Sequence, residues 1–463
     1  MSSESAKLAK TYQSKTAREH IYDAPDTYIG AVEEDDKTDW VLNENNKFIR
    51  SNMKWVPGLY KCFDEGIVNC RDHVIRLQQK KKEKGIVQVK NIDVTVDKET
   101  GIITMRNGGN GIDVAKHPQK KWWIPEMIFG RLRTSTNYDK KQKKIVGGKN
   151  GFGFKLVLIY AKWGEIETVD HIRKLKYTQT FKNNLKKLCK PEITKSNEKP
   201  YTEVRWLPDY ERFGLSGLSD DMFNLFKKRT LDIAAVTDKS VKVTFNGEVL
   251  PIKSFEDYIE KYIGPKLERP RLNETADRWE YNVCLTPVDE FAQVSFVNGI
   301  NTTKGGKHVD YLVNQITKKM VEYIKKRKKI TVRTTAIKEQ LMIFVNCVIE
   351  NPSFDSQTKD YMSTPIRKFG SKCEIGDKFI EKLAKMGVMD AAISLNEIKD
   401  VSAGKKNNGR KCKSIRGVPK LIDANKAGGR ESMECTLILS EGDSAKSGIV
   451  SGLTKQDRDW FGV

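Results

Sequence analysis

Glu65, Asn69 and Asp72 follow one another at steps of four and three in LYKCFDEGIVNCRDH. On a helix they share one face. An asparagine amide oxygen suits a hard cation such as Mg2+, which prefers oxygen ligands. A glutamate one turn earlier can take a proton from a water attacking a phosphate. A merely solvated helix face has the same composition. Gly66 lies inside the run and costs about 1 kcal/mol against alanine in a helix. It marks either close packing or poor optimisation.

Five further stretches carry chemically useful groups. RNGGNG at 106–111 follows an apolar strand-like run. Gly109 and Gly111 allow a turn beneath a flat ligand, and Asn107 both donates and accepts, as reading a base edge requires. An ordinary Asn/Gly turn fits as well. In GRLRTSTNYD, Ser135, Thr136 and Asn137 suit phosphate or ribose, and equally suit capping a helix. IVGGKNGFGFKLV at 145–157 packs its glycines ahead of Lys155. Glycines bring backbone N–H groups close to a phosphate, and a following helix adds its dipole. Leu156 follows Lys155, so the loop is not G-x-x-x-x-G-K-[ST], nor does it open a dinucleotide fingerprint. A flexible surface turn is the plain alternative. In NPSFDSQTKDYM, Gln357 and Lys359 sit two apart, and on an extended segment they point the same way. Such a lysine either reaches a γ-phosphate or lies in solvent. LILSEGDSAKSGIVSGL ends a strand-like run on Glu441 and Asp443, two acidic groups suited to a metal at a strand edge.

The elements that must position these groups are legible in outline. Leu59, Phe63, Ile67, Cys70, Val74 and Leu77 recur at three- and four-residue steps, which predicts a helix from Pro57 toward Gln78. Alternation predicts strands at IVQVK, DVTVD and IITMRN, then GEIETV, KYTQTF, TEVRWL and SVKVTFNGEV. FKLVLIYA at 154–161 is apolar enough for a buried helix behind the glycine loop, and DDMFNLFKKRTLDIAAV reads as a second. A new block starts near 250. There, strands EYNVCLTPV, FAQVSFVN and LMIFVNCVIE surround the long helix HVDYLVNQITKKMVEYIKK, which suggests a crossover unit. KFIEKLAKMGVMDAAI at 378–393 reads as helical. A third block from about 415 holds strand MECTLILS and stops at Val463, too soon for a domain of its own, so the chain reads as a piece of something longer.

With 463 residues and 38% apolar content the chain can fill two or three cores. It has no apolar run of 18 residues, and MSSESAKLAK lacks a signal-peptide core. Eight cysteines form no C-x-x-C pair, which points to reduced thiols and no structural zinc. The formal charge of +22 comes in bursts, KKKEK at 80–84, KKQKK at 140–144, KKRKK at 325–329 and GKKNNGRKCK at 404–413. Such charge favours a polyanion without sequence preference; a solvated lysine-rich surface is the alternative.

Together, FDEGIVNCRD, NGGNGI, IFGRLRTSTNYD and GGKNGFGFK resemble the nucleotide-binding motifs shared by gyrase, the ninety-kilodalton chaperone, mismatch-repair MutL and histidine kinases. They are most similar to those of eukaryotic-type type II DNA topoisomerases. DAPDTYIG, VNGINTTKGGKHVDYL, the Q-T-K segment and SEGDSAKS extend the resemblance over roughly residues 15–463. It implies an α+β protein: a GHKL (Bergerat-type) ATPase α/β sandwich, a ribosomal-protein-S5-like transducer domain, then the truncated start of a TOPRIM domain. The implied divisions are 1–55 for an N-terminal arm and strap, 56–248 for the ATPase core, 249–414 for the transducer and 415–463 for the TOPRIM start.

The resemblance implies ATP and Mg2+ as ligands. Glu65 becomes the general base and Asn69 the Mg2+ ligand. Asn107, with Gly109 and Gly111, falls at the adenine end. Ser135, Thr136 and Asn137 fall on ribose or phosphate. Lys149, Asn150, Gly151, Phe152, Gly153 and Lys155 wrap the phosphates. Lys359 falls on the γ-phosphate with Gln357 as its support, and Glu441 becomes a TOPRIM metal ligand whose D-x-D partner is expected further on, with the DNA-bonding tyrosine. Two departures stand out: Arg71-Asp72-His73 replaces a small residue, aspartate and asparagine, and Gly108 replaces a second asparagine. The implied activity is an ATP-operated gate that closes as a homodimer on double-stranded DNA, with no membrane partner. Its place is the nucleus, or a cytoplasmic replication site or virion, since large DNA viruses carry such enzymes. Two alternatives stay open: an ATPase clamp acting on a protein partner, and a DNA-binding dimer module with an inactive pocket.

Overall fold

The computed structural model describes residues 11–12, 14–43, 45–134, 145–147, 153–288, 290–396, 421–454 and 456–463. The chain divides into two compact units, residues 1–392 and 393–463; the expected division at 414/415 lies outside the described residues.

In the first unit, α1 (Ala17–Asp23) starts in a capping box between Thr16 and Glu19 and buries Ile21. A single turn at Pro25 leads to Gly30 at φ 92°. The hairpin of β1 (Asp35–Leu42) and β2 (Phe48–Trp55) then delivers the chain to α2 (Pro57–Gln79). Proline at the first helical position of α2 has no N–H to leave unpaired and is preset in φ.

The remaining elements to residue 249 build one mixed sheet with helices on a face. Its strands are β3 (Asn91–Val96), β4 (Ile103–Gly108), β5 (Ala161–Val169), β6 (Leu175–Lys182), β7 (Lys187–Leu188), β8 (Glu192–Lys195), β9 (Tyr201–Pro208), β10 (Lys242–Phe245) and β11 (Glu248–Val249). The order is β11-β10-β3-β4-β9-β5-β6-β7, with β8 also on β6. Strands β10 and β3 run parallel, the other pairs antiparallel. Helices α3 (Ile124–Gly130), α4 (Gly153–Ile159) and α5 (Asp220–Ala235) join α2. The period-two rule puts Ile103, Met105 and Asn107 of β4 on the buried side. Gly66 of α2 lies over them: a Cβ there would come 2.8 Å from the sulfur of Met105. The glycine inside the helix therefore serves close packing.

IVQVK at 86–90 is not a strand. Its polar groups are taken by loops: Val87 N–H donates to the Asn110 side chain and the Gln88 amide to the Leu77 carbonyl, at 2.7 and 2.8 Å. The helix behind the glycine loop is shorter than its apolar run, because Ala161 already pairs in the sheet.

Past residue 250, α6 (Phe255–Ile263) leads into a second sheet of β12 (Arg271–Ala276), β13 (Trp279–Leu285), β14 (Ala292–Val297), β15 (Ile300–Asn301) and β16 (Leu341–Cys347), in the order β12-β13-β16-β14-β15. Strands β14 and β16 are parallel, joined through α7 (Lys307–Lys328) and α8 (Thr334–Glu339), which is the expected crossover. The apolar core runs without a break from α2 into this sheet, through Phe255, Tyr258, Tyr262, Phe296 and Phe344. The helix at 378–393 is interrupted: α9 (Asp377–Leu383) passes into a wide turn around Gly387 at φ 97° before helix resumes.

In the second unit, β17 (Thr436–Leu437) pairs in parallel with β18 (Phe461–Gly462), and α10 (Asp443–Gly452) begins just after Glu441. Strand structure covers only part of MECTLILS. Glu441 is exposed, and among the described residues no three His, Cys, Asp or Glu side chains gather as a metal site. The described cysteines are all free.

Candidate nucleotide-binding site

Helix α2 is buried on nearly every side, so its polar face is not a solvated one. Lys61, Asp64, Glu65, Arg71 and Asp72 are all buried with the apolar residues. Charges in such surroundings must be paired. Glu65 Oε1 accepts from two ammonium groups: Lys61, one turn back on the same helix at 2.8 Å, and, at 3.2 Å, Lys359 from the part of the first unit past residue 250 that holds the second sheet, hereafter the second domain. Burial alone would push the Glu65 carboxyl up; Lys359 and Lys61 outweigh it and hold the group at about 2. Lys61 also reaches Asp64 at 3.3 Å. Burial opposes ionisation of Asp64, but Arg229 and Lys61 keep it well below the usual carboxylate range.

The other carboxylate oxygen of Glu65 faces the glycine loop's end. A Cβ built on Gly153 would lie 3.9 Å from Glu65 Oε2 and 3.6 Å from Asn69 Nδ2. Glu65, Asn69 and Gly153 thus lie side by side. Further along the same chain, Lys155 is buried and donates to the Thr134 carbonyl at 2.6 Å. Burial pulls its ammonium down to about 8. Gly147 N–H donates to Asp72 Oδ1 at 2.8 Å, which ties the loop's first glycine to α2. Ser135, Thr136, Asn137, Lys149, Asn150, Gly151 and Phe152 lie outside the described residues.

At the far end of β4, Asn107 is buried and its amide donates to the Gly108 carbonyl at 2.8 Å. Gly109 and Gly111 are both at positive φ. A Cβ on Gly111 would meet the Val169 carbonyl at 1.9 Å, and one on Gly109 would meet His73 and Leu77 at 2.8 Å. Neither position accepts a side chain. His73, the last residue of the Arg71-Asp72-His73 departure, therefore lies directly under this turn; burial, with Arg76 nearby, holds its imidazole at about 4, hence neutral. Arg71, the first residue of that departure, points away from the site: its guanidinium donates twice to the Val236 carbonyl at 3.0 and 2.9 Å.

The Q-T-K segment is a turn, not an extended run. Lys359 sits at φ 64° with its N–H on the Ser356 carbonyl, and this left-handed backbone sends the lysine inward to Glu65. Gln357 is half-buried on the same turn. Spacing alone overlooked Lys61 and Arg229. Lys61 was detectable as an i,i+4 partner of Glu65. Arg229 was not, because its partners are far away in sequence.

A two-layer α/β sandwich with a buried glutamate–asparagine helix facing a glycine loop, followed by a crossover domain, defines the GHKL class of ATPase with its transducer. The DNA gyrase B family matches residues 248–414. DNA topoisomerase 2 of Pisum sativum is 42% identical over 98% of this chain and 31% of its own length. The ATPase region of Saccharomyces cerevisiae topoisomerase II is 38% identical with a TM-score of 0.77, covering 84% of this chain and 99% of that one. The ATPase and transducer domains of DNA topoisomerase II from Balamuthia mandrillaris give 35%, 0.78, 85% and 99%. The chain belongs to the eukaryotic type II DNA topoisomerase family, in its ATPase and transducer region. It spans about a third of the length of the curated relatives it matches.

Proposed function

We propose that the chain binds ATP between α2 and the glycine loop, hydrolyses it, and acts as the ATP-operated gate of a protein that passes one DNA duplex through another. The carrying observation is the meeting of Lys359, from the second domain, with buried Glu65 beside Asn69 and Gly153. Glu65 has an oxygen on the side of the glycine loop, where it would take the proton of the attacking water. Lys359 would move from the carboxylate to the γ-phosphate and so report its presence to the second domain. Asn107 would read the base edge above the Gly109–Gly111 turn, and Lys155 and the loop amides would offset phosphate charge. Mg2+ would be held by the Asn69 amide oxygen and otherwise by phosphate and water, which is how this ion is commonly held in phosphoryl-transfer sites; bound there, it would neutralise charge on the phosphates.

Double-stranded DNA and a second copy of the chain are the proposed partners. The exposed run Lys325–Lys329 supports contact with a phosphate backbone. No described helix is long and apolar enough to cross a membrane. Steady-state hydrolysis by the chain, with and without linear duplex DNA, tests the reading. Turnover that needs Glu65 and rises with DNA is expected; turnover indifferent to Glu65 would remove the assigned base.

A further inference from the structure

The second domain touches α2 at a place distant in sequence from Lys359. The turn between β14 and β15 inserts Gly299 against two arginines. Arg229 of α5 is fully buried, donates through Nε to Asp64 Oδ1 at 2.8 Å, and through Nη2 to the Gly299 carbonyl at 2.8 Å. Its remaining terminal nitrogen stands 3.9 Å from Asp232 and makes no hydrogen bond. Asp232 in turn accepts from Asn301, just past the turn, at 3.3 Å. Arg71 packs on the turn's other side: a Cβ on Gly299 would come 2.5 Å from its side chain.

These contacts differ in what they link. Arg71 ends on the Val236 carbonyl and holds the turn by packing. Arg229 ends on Asp64, the immediate neighbour of Glu65. A planar, forked donor fixes two acceptors at once, which a lysine cannot reproduce. Leaving Arg229 buried without either acceptor is costly, so the three groups keep a common geometry.

We propose that Arg229 is a positioning residue that makes the placement of Glu65 depend on how the Gly299 turn of the second domain is seated. The inference rests on the proposed role of Glu65 as base. It gives the second domain two grips on one turn of helix: Lys359 on the carboxylate itself, and the Gly299 turn, through Arg229, on the residue before it. A shift of about 1 Å in a reacting group can cost up to about a hundredfold in rate, so the link acts on turnover rather than on nucleotide capture.

The test measures kcat and KM for ATP, and affinity for a non-hydrolysable ATP analogue, in the full chain and in R229K, D64N, R71A and E65A. R229K is expected to lower kcat by about tenfold, the scale of a misplacement below 1 Å, with KM and analogue affinity kept within about twofold. D64N keeps an acceptor for Arg229 and should show a smaller fall of the same kind; it carries the test if R229K fails to fold. R71A should lower Tm and leave kcat in place. R229K and D64N with wild-type kcat would overturn the inference while an inactive E65A leaves the site reading intact. An R71A that slows turnover as much as R229K would also overturn it, because loosening of the turn would then suffice. An E65A that still turns over would instead remove the base assignment on which the inference stands.

Discussion

Helices α2 and α7 are nearly equal in length, and both carry many charges, but they place them oppositely. In α7 the buried residues are Val309, Leu312, Val313, Ile316, Met320 and Ile324 with His308 and Thr317, while Lys325, Lys326, Arg327 and Lys328 crowd the last turn in solvent. That is an ordinary one-faced helix whose terminal cations also complement its dipole. In α2 the second face is covered too, by the loop at Gly147 and by the second domain, and its charges pair inside. The same residue types act as a long-range field on one helix and as a rigid, desolvated constellation on the other. Burial, not composition, separates the two uses.

The strongest way to break this contrast is E65A. Removing a general base costs about 10²–10⁴ in rate, so hydrolysis should vanish in a coupled assay while a non-hydrolysable analogue still binds. K359A should follow, with kcat down by about 10²–10³, as when one preorganised charge is removed, and with a reduced preference for ATP over ADP by calorimetry. G66A probes the packing under α2. Its new methyl meets Met105, and overpacking of about 1–3 kcal/mol should exceed the helix-propensity gain of about 1 kcal/mol and lower Tm in a thermal melt. Acid titration sharpens the burial argument. The Glu65 carboxyl sits at about 2 against an ordinary 4.5, so the unfolded chain binds more protons between those values. The stabilisation is complete above the ordinary value and is lost as pH falls toward 2; Tm should therefore drop more steeply on acidification in the wild type than in E65Q. The smallest effect belongs to α7. Replacing Lys325, Lys326, Arg327 and Lys328 by glutamine should flatten the salt dependence of duplex binding, by about 0.9 in slope for each phosphate no longer neutralised.

The apolar side of α2 was legible from spacing, since Leu59, Phe63, Ile67, Cys70, Val74 and Leu77 are all buried. So was the crossover through α7, whose flanking strands pair in parallel as expected. What spacing could not show is the covering of the polar side. The face of Glu65, Asn69 and Asp72 reads equally as a solvated one until Lys359, almost three hundred positions away, reaches Glu65. IVQVK misled because alternation describes a half-buried extended run whether or not a neighbouring strand exists; here side chains of Asn110 and Gln88 take the place of a ladder. Gly109 and Gly111 were recognisable as glycines under constraint, though only the approach of His73 and Leu77 to the first and of Val169 to the second shows why no other residue fits.

The bridge from Lys359 to Glu65 has a consequence for fuel economy. While that lysine rests on the carboxylate, it helps hold Glu65 at about 2, too acidic to serve readily as the proposed base. Withdrawing one of its two cations makes it more basic. If Lys359 moves to the triphosphate as proposed, its departure would also make the carboxylate a better base, so nucleotide binding itself would prime hydrolysis.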